Sequence, residues 1–252
     1  MQKTNKTSET KLHTALAILS SGKVKIPPEE LINIGDGGFL AISAEFLQYF
    51  VDITNLNPHE SVLDLGCGIG RMAVGLRYYL DPHQGSYLGI DPVKSGIDWC
   101  KENFSDAANF RFEWIDIYNE LYHPYGEILS TQCRLPAEDA TIDLAILTSV
   151  FTHLYEREIA AYLGELRRLV KNDGRIFTTA YLYDGDAPHK SAVEHLKFGE
   201  FDSRYPYRWH VTGLPPLAAV CYSEAFLIDL FRSYIGHEPK VLKGRWRGGD
   251  GP

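Results

Sequence analysis

The chain has 252 residues, a formal net charge of −8 and a hydrophobic fraction of 44%. That length is enough for one large domain with a substantial core. An acidic surface repels phosphate backbones, which disfavours a nucleic-acid partner, and no apolar run is long enough to span a bilayer. The four cysteines are scattered and form no C-x-x-C pair, so we expect free thiols in a cytoplasmic protein rather than a zinc site or a disulfide framework. The oligomeric state stays open.

Residues 1–57 are predicted to form an N-terminal helical segment that precedes the main sheet, as a lead or lid. Leu12, Leu16 and Leu19 lie on one face of a short helix, and a second helical pattern covers about residues 40–50. Between them, residues 34–39 form a glycine cluster that is either a plain linker or the edge of a lid over a ligand.

The most informative stretch is VLDLGCGIGR at residues 62–71. A short apolar run interrupted by Asp64 is followed by glycines at 66, 68 and 70 and then by apolar residues at helical spacing. The pattern predicts a strand, a tight turn and a helix. Glycines let a ligand approach the bare backbone, and the helix start presents free N–H groups to it. A buried Asp64 is costly without a partner, which a cationic or hydrogen-bonding ligand would supply.

Strands and helices then alternate along the chain. Strands are predicted at residues 86–90, 110–115, 141–147 and 175–182, and helices at about 93–103 and 155–170. Asp91 ends the second strand and Asp116 follows the third. Lys171–Gly174 reads as a turn that stops the last of these helices. Strands buried on both faces and separated by helices predict an α/β, doubly wound, mostly parallel sheet over residues 58–182.

The periodicity changes after Tyr183. Residues 183–216 are polar and aromatic without a clear repeat and are interpreted as an insertion or cap after strand five. Residues 217–252 predict a final helix from Ser223 and a last strand at 240–246. The whole chain is therefore expected to form a single domain.

Two ligand classes fit the glycine turn. Residues 68–73 satisfy the looser G-x-G-x-x-A dinucleotide fingerprint, with Asp91 about twenty residues beyond it. This alternative predicts an NAD(P)-dependent oxidoreductase, yet no Tyr-x-x-x-Lys pair is present. The other interpretation uses Asp64, the three glycines and the same Asp91.

Five segments resemble the class I S-adenosylmethionine (SAM)-dependent methyltransferases, closest to the bacterial small-molecule type. They are VLDLGCGIGR at 62–71, GIDP at 89–92, WIDI at 114–117, the run ending TSVFTHL at 148–154, and YLGELRRLVKNDGR at 162–175. They occur in family order over about residues 34–182, whereas dinucleotide enzymes share only the first two. The resemblance implies a Rossmann-like fold with a seven-stranded sheet.

The resemblance also implies a set of SAM-binding residues. Asp64 would fix the amino group, Asp91 the ribose hydroxyls and Asp116 the adenine amino group, with Ile117 packing on the ring. The full set is Asp64, Gly66, Cys67, Gly68, Gly70, Arg71, Asp91, Pro92, Asp116, Ile117 and Thr148. Considered singly, Asp91 is equally explained as a turn starter and Asp116 as a helix cap.

Methyl transfer to a hydroxyl needs an in-line acceptor and is helped by a base. His153, in the loop beyond strand four, is the candidate base, although it also fits a packing role at the next helix. Candidates to line the pocket of a small organic acceptor are Tyr118, Tyr122, Tyr181, Tyr183, His189, His195 and Trp209. N- or C-methylation and a non-catalytic SAM-binding module are the remaining alternatives. No metal site is expected, since Asp184, Asp186 and His189 fit a solvated loop better.

Overall fold

The computed structural model describes residues 6–32, 38–185, 188 and 196–244. These residues group into two compact units. The first unit comprises Met1–Ile115, Pro136–Leu147 and Val170–Phe177, and the second comprises Asp116–Leu135, Thr148–Leu169 and Thr178–Pro252.

The first unit is built around a five-stranded sheet. Its helices are α1 (Lys6–Leu19), α2 (Phe39–Thr54), α3 (Arg71–Tyr79) and α4 (Lys94–Asn103), and its strands are β1 (Ser61–Leu65), β2 (Ser86–Asp91), β3 (Phe110–Trp114), β4 (Ile142–Leu147) and β5 (Val170–Thr178). The strand order is β3-β2-β1-β4-β5. The pairs β1–β2, β2–β3 and β1–β4 are parallel. The chain therefore changes direction across the sheet beside β1, which is where ligands bind in doubly wound folds.

Side chains of α1 to α4 and of the sheet form one hydrophobic core. Leu47 and Phe50 of α2 and Leu76 of α3 are almost completely buried in it. The Oγ atom of Ser43 accepts a hydrogen bond from the N–H of Gly75, 2.9 Å away, so α2 lies directly against α3. The N-terminal helices are thus part of this core. Of the predicted linker or lid edge at residues 34–39, residues 34–37 lie outside the described residues, and Gly38 and Phe39 form the start of α2.

The second unit contains a smaller sheet. Its elements are α5 (Glu156–Leu169), β6 (Tyr181–Tyr183), β7 (Phe198–Phe201), β8 (Arg208–Val211), β9 (Val220–Ser223) and α6 (Glu224–Ile235). The strand order is β6-β9-β8-β7, with β8 antiparallel to both neighbours. Arg208 of β8 forms an ion pair with Glu156 of α5, and its guanidinium lies between the rings of Tyr155 and Tyr205. The buried Arg208 side chain therefore links the small sheet to α5.

Three details of the predicted fold are wrong. The main sheet has five strands rather than seven, because the strands after Tyr181 pair with one another in the second sheet. The expected turn at Lys171–Gly174 is part of β5, which starts immediately after α5. Residues 240–243 form no strand, and residue 244 makes only an isolated bridge. Residues 245 and 246 of the predicted last strand lie outside the described residues.

Within the described residues, every helix is too short or too polar to cross a lipid bilayer.

Candidate active site

The turn between β1 and α3 is held in a narrow conformation. Gly66, Gly68 and Gly70 all have positive φ, at 81°, 54° and 77°. The N–H groups of Gly66 and Cys67 both donate to the carbonyl oxygen of Ile90, at 2.8 and 3.2 Å. Gly70 is the N-cap of α3, and a Cβ on it would lie 2.9 Å from Sγ of Cys100. The turn therefore needs glycine at position 70 for both its dihedral angle and its close packing.

Two buried thiols lie behind the turn. The Sγ atoms of Cys67 and Cys100 are each 3.9 Å from the carbonyl oxygen of Gly68. Burial and nearby carboxylates raise the pKa of both thiols well above the ordinary value. Both cysteines are therefore neutral packing groups and are poor nucleophiles.

Asp91, at the end of β2, is joined to the turn. Its Oδ2 accepts from the N–H of Gly68 at 2.7 Å, and its Oδ1 accepts from the N–H of Val93 at 2.8 Å. Burial raises the pKa of Asp91 to about 6, against the lowering effect of these two hydrogen bonds. Each carboxylate oxygen has a further lone pair available for a ligand hydroxyl.

Asp64 lies beside this arrangement on β1 and is completely buried. Its Oδ2 accepts a hydrogen bond from the hydroxyl of Tyr87 at 2.6 Å. Its Oδ1 has no hydrogen-bond partner among the described residues. The pKa of Asp64 is raised to about 7 in total. Burial is the main cause, the hydrogen bond from Tyr87 acts in the opposite direction, and the charge of Asp91 adds to the increase.

Two other predicted residues of the first unit are Arg71, which directly follows the turn, and Pro92, which directly follows Asp91. Arg71 is the first residue of α3, is mostly buried, and has its guanidinium 6.0 Å from the ring centroid of Phe39. The carbonyl oxygen of Pro92 accepts from the indole N–H of Trp114 at 2.8 Å. The first unit thus gathers eight of the eleven predicted SAM-binding residues on β1, the turn, α3 and the end of β2.

The remaining three belong to the second unit. Oδ1 of Asp116 lies 2.7 Å from Nε2 of His123, a pairing the sequence did not suggest. Ile117 is buried and makes an isolated bridge with Ile128. Thr148 directly follows β4.

The residue after Thr148 is also unusual. Ser149 has φ of 58°, and its N–H donates to Oγ1 of Thr179 at 2.8 Å. A positive φ in a residue other than glycine marks a backbone held in place by its surroundings.

His153 lies in the short 3₁₀ helix Phe151–His153. Its Nδ1 is 3.0 Å from the carbonyl oxygen of Leu217, which can only accept, so Nδ1 carries the proton. Burial lowers the pKa of His153, and backbone interactions with Leu217 and Ala218 partly oppose that effect. The neutral ring therefore has its lone pair on Nε2 and is suited to act as a base.

Most of the predicted acceptor-lining aromatics contact other residues of the second unit. Tyr122 lies edge-on to His153, with ring centroids 5.4 Å apart, and Tyr118 is partly exposed. Tyr181 contacts Phe198, the hydroxyl of Tyr183 donates to the carbonyl oxygen of Pro206, and Trp209 contacts Phe201. Tyr122 is thus the candidate whose ring contact with His153 is established. The candidates His189 and His195 lie outside the described residues.

Sequence reasoning missed Tyr87 and Ser149. Tyr87 looks like any aromatic residue of a buried strand, and its role depends on the β1–β2 register, in which it lies opposite Val62. No sequence signal marks it. The positive φ of Ser149 has no local signal either, because neither glycine nor asparagine is present at that position.

Comparisons with known proteins point to one family. A family model described as "Methyltransferase domain" matches residues 63–178. An uncharacterized methyltransferase of Schizosaccharomyces pombe is 29% identical over 117 residues, which are 46% of this chain and 38% of that protein. An uncharacterized 37.1 kDa protein in transposon TN4556 of Streptomyces fradiae is 26% identical over 149 residues, which are 59% of this chain and 38% of that protein. The chain thus spans well under half the length of either relative.

A solved structure shares the fold. The PH0226 protein of Pyrococcus horikoshii OT3 superposes with a TM-score of 0.53 at 15% identity, covering 81% of this chain and 84% of that one. The family match begins inside β1 and ends with β5, so it covers the strands and the glycine turn that carry the resemblance. Residues 63–178 of the chain therefore match a methyltransferase domain, in agreement with the resemblance to class I SAM-dependent methyltransferases.

Proposed function

We propose that this protein binds SAM and transfers its methyl group to a small organic acceptor, with a hydroxyl as the preferred receiving group. The observation that carries the proposal is the turn between β1 and α3, with Asp91 bonded to it and Asp64 buried beside it. The family match of residues 63–178 supports the same donor.

The residues of the first unit fit the chemistry of SAM. A positively charged donor suits a buried carboxylate such as Asp64, whose Oδ1 has no partner among the described residues. A donor with a ribose suits Asp91, which can accept from two hydroxyls. Gly70, the N-cap of α3, has no Cβ to collide with Sγ of Cys100, so the tight turn can form directly before the helix. We assign Gly66, Cys67, Gly68, Arg71 and Pro92 to the surroundings of the donor.

In the second unit we assign Asp116 to the adenine amino group, Ile117 to the adenine ring, and Thr148 to backbone contacts near the sulfur. When bound, SAM supplies a methyl group already activated on a sulfonium. The chain's own residues therefore need to orient the acceptor and exclude water rather than create an electrophile.

His153 is the proposed base for a hydroxyl acceptor. Its Nδ1–H is committed to the carbonyl oxygen of Leu217, so Nε2 is the atom that would receive the acceptor proton. Burial keeps this ring neutral, and hence able to take a proton, at physiological pH. We assign Tyr118, Tyr122, Tyr181, Tyr183 and Trp209 to the acceptor side.

Binding and turnover experiments separate this proposal from its alternatives. Calorimetry should give binding of S-adenosylhomocysteine (SAH) and none of NADH, and the reverse result would favour an oxidoreductase. Release of SAH should then be measured with panels of phenols, carboxylic acids, amines and activated carbon acids. Turnover restricted to amines or carbon acids would replace O-methylation by N- or C-methylation. Tight SAH binding without turnover on any panel would favour a binding module.

We also propose that the protein is cytoplasmic and that it does not bind nucleic acid. The four cysteines are all free thiols, and the net charge of −8 disfavours nucleic acid, which is consistent with a cytoplasmic enzyme of small molecules. Cell fractionation and a gel-shift assay with RNA and DNA test these two points.

A further inference from the structure

The buried pair of Asp64 and Tyr87 is the strongest feature that the proposed function leaves unexplained. The Tyr87 hydroxyl donates to Oδ2 of Asp64 at 2.6 Å, and both residues are almost fully buried. The Tyr87 ring is stacked on Phe110 at a centroid distance of 4.9 Å and tilted against Phe112 at 5.4 Å. Packing on both rings fixes the position of the hydroxyl, so the hydrogen bond also fixes the carboxylate.

The other groups around Asp64 do not favour its charge. Asp91 is a second carboxylate and repels it, and the thiols of Cys67 and Cys100 are neutral. The residue opposite it on β4 is the apolar Ile146. The Tyr87 hydroxyl opposes burial and Asp91 by stabilising the ionised form of Asp64.

We propose that Tyr87 is a positioning residue for the methyl donor, which holds the carboxylate of Asp64 in a fixed orientation beside the glycine turn so that its negative charge faces the positive groups of the donor. This inference rests on the proposed function. The attraction does not require an exposed carboxylate, because charges interact more strongly through a buried, low-dielectric region than through water. A donor analogue without a positive charge should therefore be insensitive to Tyr87.

The test compares two ligands in two variants. SAH carries the charged amino group, whereas 5′-methylthioadenosine has the adenine and ribose but lacks the amino-acid end. In Tyr87→Phe the ring stacking is kept and only the hydroxyl is lost. Calorimetry at pH 7 should show SAH affinity reduced about tenfold and 5′-methylthioadenosine affinity unchanged. The control is Tyr79→Phe, which removes another buried hydroxyl, bonded to the carbonyl oxygen of Leu56, and should change neither.

A pH series gives a second readout. In the unaltered protein SAH affinity should fall as the pH is lowered through about 7, because Asp64 becomes protonated. In Tyr87→Phe the fall should begin at higher pH, since the hydrogen bond that lowers the pKa of Asp64 is gone. In Asp64→Asn the fall near pH 7 should disappear, whereas a fall near pH 6 from protonation of Asp91 should remain. Adding Tyr87→Phe to that variant should have no further effect.

The outcomes are distinguishable. If the unaltered protein binds SAH but Tyr87→Phe leaves its affinity unchanged, or weakens both ligands equally, the role of Tyr87 is wrong while the proposed function stands. If the unaltered protein binds neither ligand, both the proposed function and the role of Tyr87 are wrong. Should Tyr87→Phe not fold, a fall in SAH affinity near pH 7 that persists in Asp64→Asn overturns the proposal, and the loss of that fall supports it.

Discussion

The N–H of Gly68 donates to Oδ2 of Asp91 across 2.7 Å, which joins the glycine turn after β1 to the end of β2. The other oxygen of the same carboxylate accepts from Val93, the residue before α4. Asp91 therefore shapes the turn in the free protein and still has lone pairs for ligand hydroxyls. Substitutions at Asp91 should affect both the turn and the ligand.

Asp91→Ala should weaken SAH binding by about 1.5–3 kcal/mol, the usual scale for hydrogen bonds to a charged group. It should also lower the melting temperature, because the N–H groups of Gly68 and Val93 lose their acceptor. Calorimetry and thermal unfolding measure the two effects. The matched control is Asp98→Ala on α4, which removes an exposed carboxylate paired with Lys94 and should change neither. Unaltered SAH affinity in Asp91→Ala would remove Asp91 from the site.

Asp64→Asn should make the ligand-free protein more stable at alkaline pH. The pKa of Asp64 is about 7 in the folded state against an ordinary value of 3.8, so the unfolded chain loses this proton first as the pH rises. The ionised carboxylate therefore costs stability progressively between about pH 4 and 7, and the cost is complete above that range. At pH 8 the variant should gain roughly 2–4 kcal/mol in free energy of unfolding. Urea titrations at pH 8 and pH 4 measure this, and the variant's advantage should shrink at the lower pH.

His153→Gln should slow methyl transfer about a hundredfold while leaving SAH affinity unchanged. In the unaltered enzyme the rate should rise with pH through the pKa of His153, which burial holds below its usual 6.5, and then reach a plateau. This limb of the pH profile should vanish in the variant. His210→Gln is the control, since the Nδ1 of His210 also lies 3.0 Å from a backbone carbonyl oxygen, that of Pro216. Equal rates in all three proteins would assign His153 a packing role.

Gly70→Ala should lower the free energy of unfolding by about 2–3 kcal/mol, because alanine is strained at φ of 77° and its Cβ would meet Sγ of Cys100 at 2.9 Å. Gly164→Ala provides the contrast. Gly164 lies within α5 with nothing near its added Cβ, so the change should stabilise the protein by about 0.5–1 kcal/mol. Urea unfolding of both variants gives the comparison, and a Gly70→Ala protein as stable as the original would contradict the geometry of the turn.

The order of strands and helices around the glycine turn could be predicted because it depends on local patterns. Apolar residues at strand or helix spacing, with the glycines at 66, 68 and 70, gave the α/β class and the positions of β1 to β4 and α3 to α5. The start of β5 could not be predicted in this way. Lys171 to Gly174 look like a turn in the sequence, yet they extend as a strand in which Lys171 pairs with Asp143 at a distance of 2.7 Å.

The second sheet was missed for a similar reason. Its strands have three or four residues, and β6 pairs with β9, which lies almost forty residues further along the chain. Such pairings depend on long-range contacts rather than on local periodicity. At the candidate site, Asp64 and Asp91 were found because glycine spacing and strand ends mark them. Tyr87 was not, because a strand register must be known before its hydroxyl can be placed beside Asp64.

The two thiols behind the turn have a practical consequence for following the protein in solution. Cys67 and Cys100 are buried against the carbonyl oxygen of Gly68, and a thiol must ionise before it reacts with an alkylating reagent. Labelling at these positions therefore requires the backbone around Gly68 to open, and the rate of labelling reports how often it opens. Any molecule that stabilises the closed backbone will slow this labelling. Mass spectrometry of the peptides that contain Cys67 and Cys100 can therefore detect a ligand bound at the turn without a turnover assay.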